Sequence, residues 1–229
     1  NIKGIDFFDE IFAADKKRFR SILLGIFERK LKFNFSMMCR VGILEEEDYK
    51  LLKECGCRTI AFGIESGSKR MLGILNKKIN LEKALKDFKL VRKYGINANA
   101  MFMVQNPDES YEDLRITLNL IKKLNPDFVK ANLLIPYPGS SYYAELLSEG
   151  ILEKDYYDQI FKKGRPENRN FNFSKLPDLE INKFLKKINL YPYLRLNSNL
   201  FKFKKAYNPS DVYRAFNNFY KFLKGSYNK

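Results

Sequence analysis

A chain of 229 residues with 45% hydrophobic and 15% aromatic side chains carries enough apolar mass for one large core or two modest ones, which excludes a disordered polymer. Lys and Arg number 42 against 27 Asp and Glu, a formal charge of +15, but the basic residues are spread along the chain and Lys outnumbers Arg, the pattern of a solvated surface more than of a nucleic-acid footprint. Histidine is absent, which excludes His-based nucleophile activation, acid-base chemistry and metal ligation from this chain.

Residues 2–8 read as the tail of a strand, 16–30 as a helix and 32–39 as a second strand. Residues 45–54 predict a helix with Glu45, Glu46 and Glu47 in its first turn and Lys50 and Lys53 near its end, a charge order that suits the macrodipole; Gly56 stops it. The apolar run 58–63 follows as a strand. This grammar of helix, stop signal and apolar strand then repeats. Asn80 caps a helix whose Leu81, Ala84, Leu85, Phe88 and Val91 share one face, Gly95 ends it, and 96–104 is the strand. Ser110 and Asp113 have capping-box spacing before Leu114, Thr117, Leu118 and Ile121; Asn125-Pro126 stops that helix, and 128–135 is the strand. Strands alternating with such helices imply right-handed crossovers and a parallel α/β sheet, open or closed into a barrel.

After Gly150 the pattern changes, so residues 1–150 are expected to form the core and 151–229 a separate basic, mostly helical region. Residues 178–190 and 210–223 read as amphipathic helices, with Pro192 breaking or bending the segment between them.

Three predicted strands end in unusual turns: Gly63-Ile64-Glu65-Ser66-Gly67, Val104-Gln105-Asn106-Pro107-Asp108 and Ile135-Pro136-Tyr137-Pro138-Gly139-Ser140. In a barrel they share one rim, where ligands of parallel-sheet proteins collect. Gly63 and Gly139 permit close backbone approach, and Glu65 is suited to accept hydrogen bonds from ribose hydroxyls or an ammonium group. Ordinary turn chemistry is the competing reading, strongest for Pro136 and Gly139. Asp9 and Glu10, just past the first strand, reach the same rim as acid-base or amine-binding groups, or else form a helix-terminal acidic cluster.

Cys39, Cys55 and Cys57 are too few and too uneven for a disulfide framework, which points to a reducing compartment and a cytoplasmic protein. Cys55-x-Cys57 lacks the second pair a tetrahedral metal site needs, so no metal ligands are assigned and the pair reads as apolar packing. No apolar run reaches the length of about 18 residues that a membrane span requires. Lys202, Lys204 and Lys205 among Phe201 and Phe203 are the best candidates for nucleic-acid contact, against the simpler reading of a solvated helical face. The chain opens on Asn1, with nothing like a signal peptide, and is read as a fragment of a soluble protein.

Taken in order, Phe8-Asp9-Glu10-Ile11-Phe12, Gly56-Cys57-Arg58-Thr59-Ile60-Ala61-Phe62-Gly63-Ile64-Glu65-Ser66-Gly67-Ser68, Gly95-Ile96, Phe102-Met103 and Pro136-Tyr137-Pro138-Gly139-Ser140 resemble the later part of a radical S-adenosylmethionine enzyme barrel, most of all the family that also carries a cobalamin-binding domain. The resemblance implies a partial (β/α)6 TIM-like barrel whose rim holds S-adenosylmethionine against a [4Fe-4S] cluster. Reductive cleavage then yields a 5′-deoxyadenosyl radical or, with cobalamin, methylation or cyclisation of a small-molecule substrate. It implies an electron donor such as flavodoxin or ferredoxin, and it places Glu65 and Ser66 near the ribose or amino-acid part of S-adenosylmethionine.

The chain departs from that family twice. No C-x-x-x-C-x-x-C loop is present, so the cluster ligands are expected upstream of Asn1, as is any cobalamin domain, and the fragment alone is expected to be inactive. Where family members commonly show Gly-x-Pro-Gly-Glu-Thr, this chain has Gln105-Asn106-Pro107-Asp108-Glu109-Ser110, and Gln105 is bulkier than the glycine at a position of close cofactor approach. A basic RNA-associated barrel module, as in tRNA-modifying relatives, and a cluster-less α/β barrel enzyme are the alternatives.

Overall fold

The computed structural model describes residues 4–153, 155–158, 172 and 174–196. In chain order its elements are β1 (Gly4–Phe7), α1 (Lys16–Glu28), β2 (Asn34–Arg40), α2 (Glu46–Glu54), β3 (Cys57–Glu65), α3 (Lys69–Ile74), α4 (Leu81–Lys93), β4 (Asn97–Val104), α5 (Tyr111–Leu124), β5 (Phe128–Leu133), α6 (Ser141–Ser148) and α7 (Asp178–Leu196). The strands lie in the order β1-β2-β3-β4-β5 and every adjacent pair is parallel. Strand order that follows chain order without reversal is the wall of a (β/α) barrel, because a doubly wound sheet reverses direction at its switch point. The chain divides into two units, Asn1–Asn189 and Leu190–Lys229. The sheet and the helices up to α6 belong to the first.

Period-two alternation sets the two faces of the wall. In β3, Ile60, Phe62 and Ile64 are fully buried, while Thr59, Ala61, Gly63 and Glu65 between them are half-buried on the other face. The buried set packs under the helices: the Phe62 ring lies 5.3 Å from that of Phe88 on α4. Ala84 and Val91 flank Phe88, and Leu114, Thr117, Ile121 and Leu124 give α5 its inner stripe. Each such Phe or Leu removed from water contributes about 1.5–3 kcal/mol, so the helix side of the sheet supplies the hydrophobic drive. The opposite face carries polar side chains, small ones such as Ala61 and Gly63, and the methionines Met38, Met101 and Met103.

The predicted alternation of elements is present, with boundary shifts of one to three residues typical of fraying ends. Asn80 caps α4 by accepting from the backbone N–H groups of Glu82 and Lys83 at 2.9 and 3.0 Å. Two short helices escaped the sequence reading. α3 has 6 residues and α6 has 8, too few for a helical period to emerge. A correction concerns Pro192: α7 runs past it to Leu196, because a proline deletes one backbone hydrogen bond and bends a helix without necessarily ending it. The predicted helix over 210–223 and the cluster of Lys202, Lys204 and Lys205 lie outside the described residues. Among those described, no helix is long and apolar enough to cross a membrane.

Candidate functional site

β3 does not end as a regular strand. The pairing with β4 shifts register between Gly63 and Glu65, and Glu65 takes a left-handed φ of 62°. That conformation costs a non-glycine residue roughly 1–2 kcal/mol, and such strain persists where the surroundings over-determine it. Its carboxylate lies 3.6 Å from the Lys77 ammonium, which returns to it from the turn after α3. A Cβ added to Gly63 would meet only Glu65, with Oε1 at 3.2 Å, so the space above Gly63 is otherwise open.

The next residues turn away from that space. Ser66 is buried: its Oγ accepts from Ser68 N at 3.2 Å and faces Thr117 Oγ1 at 3.4 Å. Gly67 donates its N–H to Thr117 Oγ1 at 3.0 Å, and a Cβ there would stand 2.7 Å from the Thr117 Cα. This glycine therefore serves close packing of the turn on α5. Ser68 caps α3 and donates to Asp113 Oδ1 at 2.6 Å. Asp113 also accepts from Arg70, from Ser110 Oγ at 2.6 Å and from Ser110 N at 2.9 Å. Burial alone would raise its pKa, but the bonds from Arg70, Ser110 and Ser68 outweigh burial and hold this carboxyl well below the usual carboxylate range.

β4 ends in the same manner. Gln105 has φ 66° and Asp108 φ 55°, the two positions where the resembled family commonly has glycine. Here the backbone conformation is kept without the residue that adopts it freely. Buried Glu109 anchors the loop, its Oε2 accepting from the N–H groups of Gln105 at 2.8 Å and Asn106 at 3.2 Å, and its Oε1 from Asn106 Nδ2 at 3.1 Å. Burial raises the Glu109 pKa against those bonds. Arg70 donates to the Asp108 carbonyl at 2.8 Å, and Lys175 pairs with the Asp108 carboxylate, holding it below its ordinary value.

A cavity of about 710 Å³ opens on the inner face of the sheet at the carboxyl ends of the strands. Of the residues singled out in the sequence, Gly63, Glu65, Glu10 and Gln105 line it. Asp9, Ser66, Pro136 and Gly139 are not in its lining: Asp9 pairs with Arg18 at 2.8 Å, and the Pro136 carbonyl accepts from the Tyr157 hydroxyl at 2.7 Å. Met38, Met101, Met103 and Tyr137 line it and were not anticipated, although the period-two alternation of β2 and β4 puts the three methionines on the inward face. A second space of about 420 Å³ shares Glu10, Cys39, Gly63 and Glu65 with the first and adds Arg40, Lys77 and Lys78.

The cysteines are buried thiols. Cys55 Sγ donates to the Leu23 carbonyl at 3.2 Å, and burial pushes Cys39 and Cys57 up to about 12. Among the described residues no three His, Cys, Asp or Glu side chains come together as a metal site.

Comparison with known proteins agrees with this geometry. The chain is 34% identical over 151 residues to an uncharacterized methyltransferase of Pyrococcus horikoshii, covering 66% of this chain and 33% of that protein. It is 26% identical to the bacteriochlorophyllide d C-8(2)-methyltransferase of Chlorobaculum tepidum, over 73% of this chain and 39% of that one. The chain thus spans about a third of the length of these relatives. In three dimensions it is similar to the radical S-adenosylmethionine methyltransferase TsrM of Kitasatospora setae, with a TM-score of 0.54 at 19% identity over 58% of this chain and 28% of that one. A parallel wall whose cavity lies at the strand ends, joined to a match of residues 4–121 to the model of that family, shows that the chain belongs to the Radical SAM superfamily.

Proposed function

We propose that this chain forms the S-adenosylmethionine-binding wall of a radical enzyme that methylates or cyclises a small-molecule substrate. The observation that carries the reading is the β3 end: Glu65, held in a left-handed conformation, lines a cavity that is open above Gly63. The residues present fit the nucleoside. Glu65 is an acceptor for ribose hydroxyls or an ammonium, Gly63 leaves room for close approach, and Met38, Met101 and Met103 give an adaptable apolar lining. When bound, S-adenosylmethionine supplies a methyl group or, on one-electron reduction, a 5′-deoxyadenosyl radical. Around it Glu65 orients the ligand, Glu10 and Gln105 complete the polar margin, and the methionine-lined face keeps water from the reacting centre.

The residues present do not fit a [4Fe-4S] cluster, since among the described residues the three buried cysteines do not come together as a ligand set; no step is assigned to them. The cluster, cobalamin, a flavodoxin- or ferredoxin-like electron donor and a cytoplasmic setting belong to the same reading of the intact protein.

Glu65→Ala tests it. Alanine in a left-handed position is no more strained than glutamate, so the fold should persist by circular dichroism, while S-adenosylhomocysteine affinity of the intact protein, measured by calorimetry, should fall about tenfold or more. Unchanged affinity would remove Glu65 from the site.

A further inference from the structure

Glu65 and Gln105 face one cavity from neighbouring strands, yet strand pairing does not fix the gap between them. The ladder of β3 and β4 ends with Glu65 opposite Phe102, and Gln105 lies beyond Phe102, past the last rung. Each of the two opens a turn, the first running through Ser68 and the second through Asp108, which is itself left-handed at φ 55°. Whatever joins those turns therefore sets the separation of the two cavity side chains.

Arg70, in the first turn of α3, reaches across from one turn to the other. Its Nη2 donates to the Asp108 carbonyl at 2.8 Å and also to Asp113 Oδ2, while Asp113 Oδ1 accepts from Ser68 Oγ at 2.6 Å. The remaining anchors act elsewhere. Thr117 and Asp113 tie the β3 turn to α5, downstream of the β4 turn, and Glu109 ties the β4 turn to itself. The Arg70 side chain is 50% exposed, and an ion pair so open to water contributes little to folding. Without it Asp113 keeps its bonds from Ser68 and Ser110, and Glu109 keeps its loop, so each turn stays folded. What is lost is the placement of one turn relative to the other.

Resting on the cofactor reading above, we propose that Arg70 is a positioning residue for S-adenosylmethionine: it holds the β3 and β4 turns at the separation from which Glu65 and Gln105 grip one ligand together. Groups fixed in advance at that separation lose less freedom when the ligand binds.

A double-mutant cycle tests it, with S-adenosylhomocysteine titrated calorimetrically into the intact protein. Arg70→Gln should weaken binding about fivefold or more while Tm moves by only about 2–4 °C. In the Glu65→Ala background the same change should weaken binding less than about twofold, because the separation matters only while both side chains grip. Equal weakening in the two backgrounds, the mark of a general loosening of the structure, overturns the assignment of Arg70. Unchanged affinity in Arg70→Gln overturns it as well, and in both cases the cofactor reading stands. Failure of the unaltered protein to bind, or unchanged affinity in Glu65→Ala, overturns both.

Discussion

The ends of β3 and β4 are built alike and serve different ends. Each leaves its strand through a non-glycine residue in the left-handed region, Glu65 at 62° and Gln105 at 66°, and both side chains line the same cavity. The β3 turn is held from outside, by α5 through Thr117 and Asp113. The β4 turn is held from within, by Glu109 folding back on the N–H groups of Gln105 and Asn106. External anchoring frees Glu65 from holding its own loop, so its carboxylate meets the cavity and Lys77; the carboxylate of the β4 turn is consumed in holding the turn. Of the two, only the β3 arrangement leaves its acid lining the cavity.

The sharpest way to break the contrast is at Gly67. A methyl group there would sit 2.7 Å from the Thr117 Cα and 3.0 Å from the Ile116 carbonyl, both backbone atoms that move only with α5. Gly67→Ala should cost about 3 kcal/mol in urea unfolding and should disturb the β3 turn before the β4 turn. A change below about 1 kcal/mol would mean that α5 does not anchor this turn.

Asp113 is next. Asp113→Asn places an amide against the Ser110 and Ser68 donors and should cost about 2 kcal/mol at neutral pH. The sign of its pH dependence follows from the depressed pKa of the folded state. The carboxylate's stabilisation is fully present above the unfolded value near pH 4 and is lost as pH falls through the folded one, so wild type and variant should converge on acidification. Parallel curves down to pH 2 would show that Asp113 is not the titrating anchor.

Much of this was legible in the chain itself. Three of the four crossovers carried their own stop signal, Gly56, Gly95 or Asn125-Pro126, and the helix-face residues Ala84, Phe88 and Val91 named from spacing are buried. Glu65 stood out because an acid closing an apolar strand demands an explanation. What could not be read was direction. Ser66 looks like Glu65's partner in sequence, yet a one-residue step in a turn sends it to the opposite side, into the contact with Thr117. Lys77 was invisible for the same reason: one lysine among many comes to face Glu65 only when an anchored excursion returns it there. The helix α3 that carries the excursion was too short to show a period.

The smallest expected effect separates strain from function. In the resembled family the counterparts of Gln105 and Asp108 are commonly glycine, and here both remain left-handed, so the loop's shape is imposed by Glu109 and Arg70 rather than by the residues that occupy it. Gln105→Gly should relieve roughly 1–2 kcal/mol of backbone strain, offset in part by the greater freedom of an unfolded glycine, for a net gain of about 0.5–1 kcal/mol in thermal unfolding. Glu65→Gly should gain a similar amount, because the backbone problem is the same, but should lose ligand affinity about tenfold as Glu65→Ala does. If both glycine variants gain stability and the Glu65 variant loses much more binding than the Gln105 variant, the strain at β3 is maintained for its side chain. Loss of stability at Gln105→Gly would instead show that the glutamine side chain secures the β4 turn more strongly than its backbone opposes it.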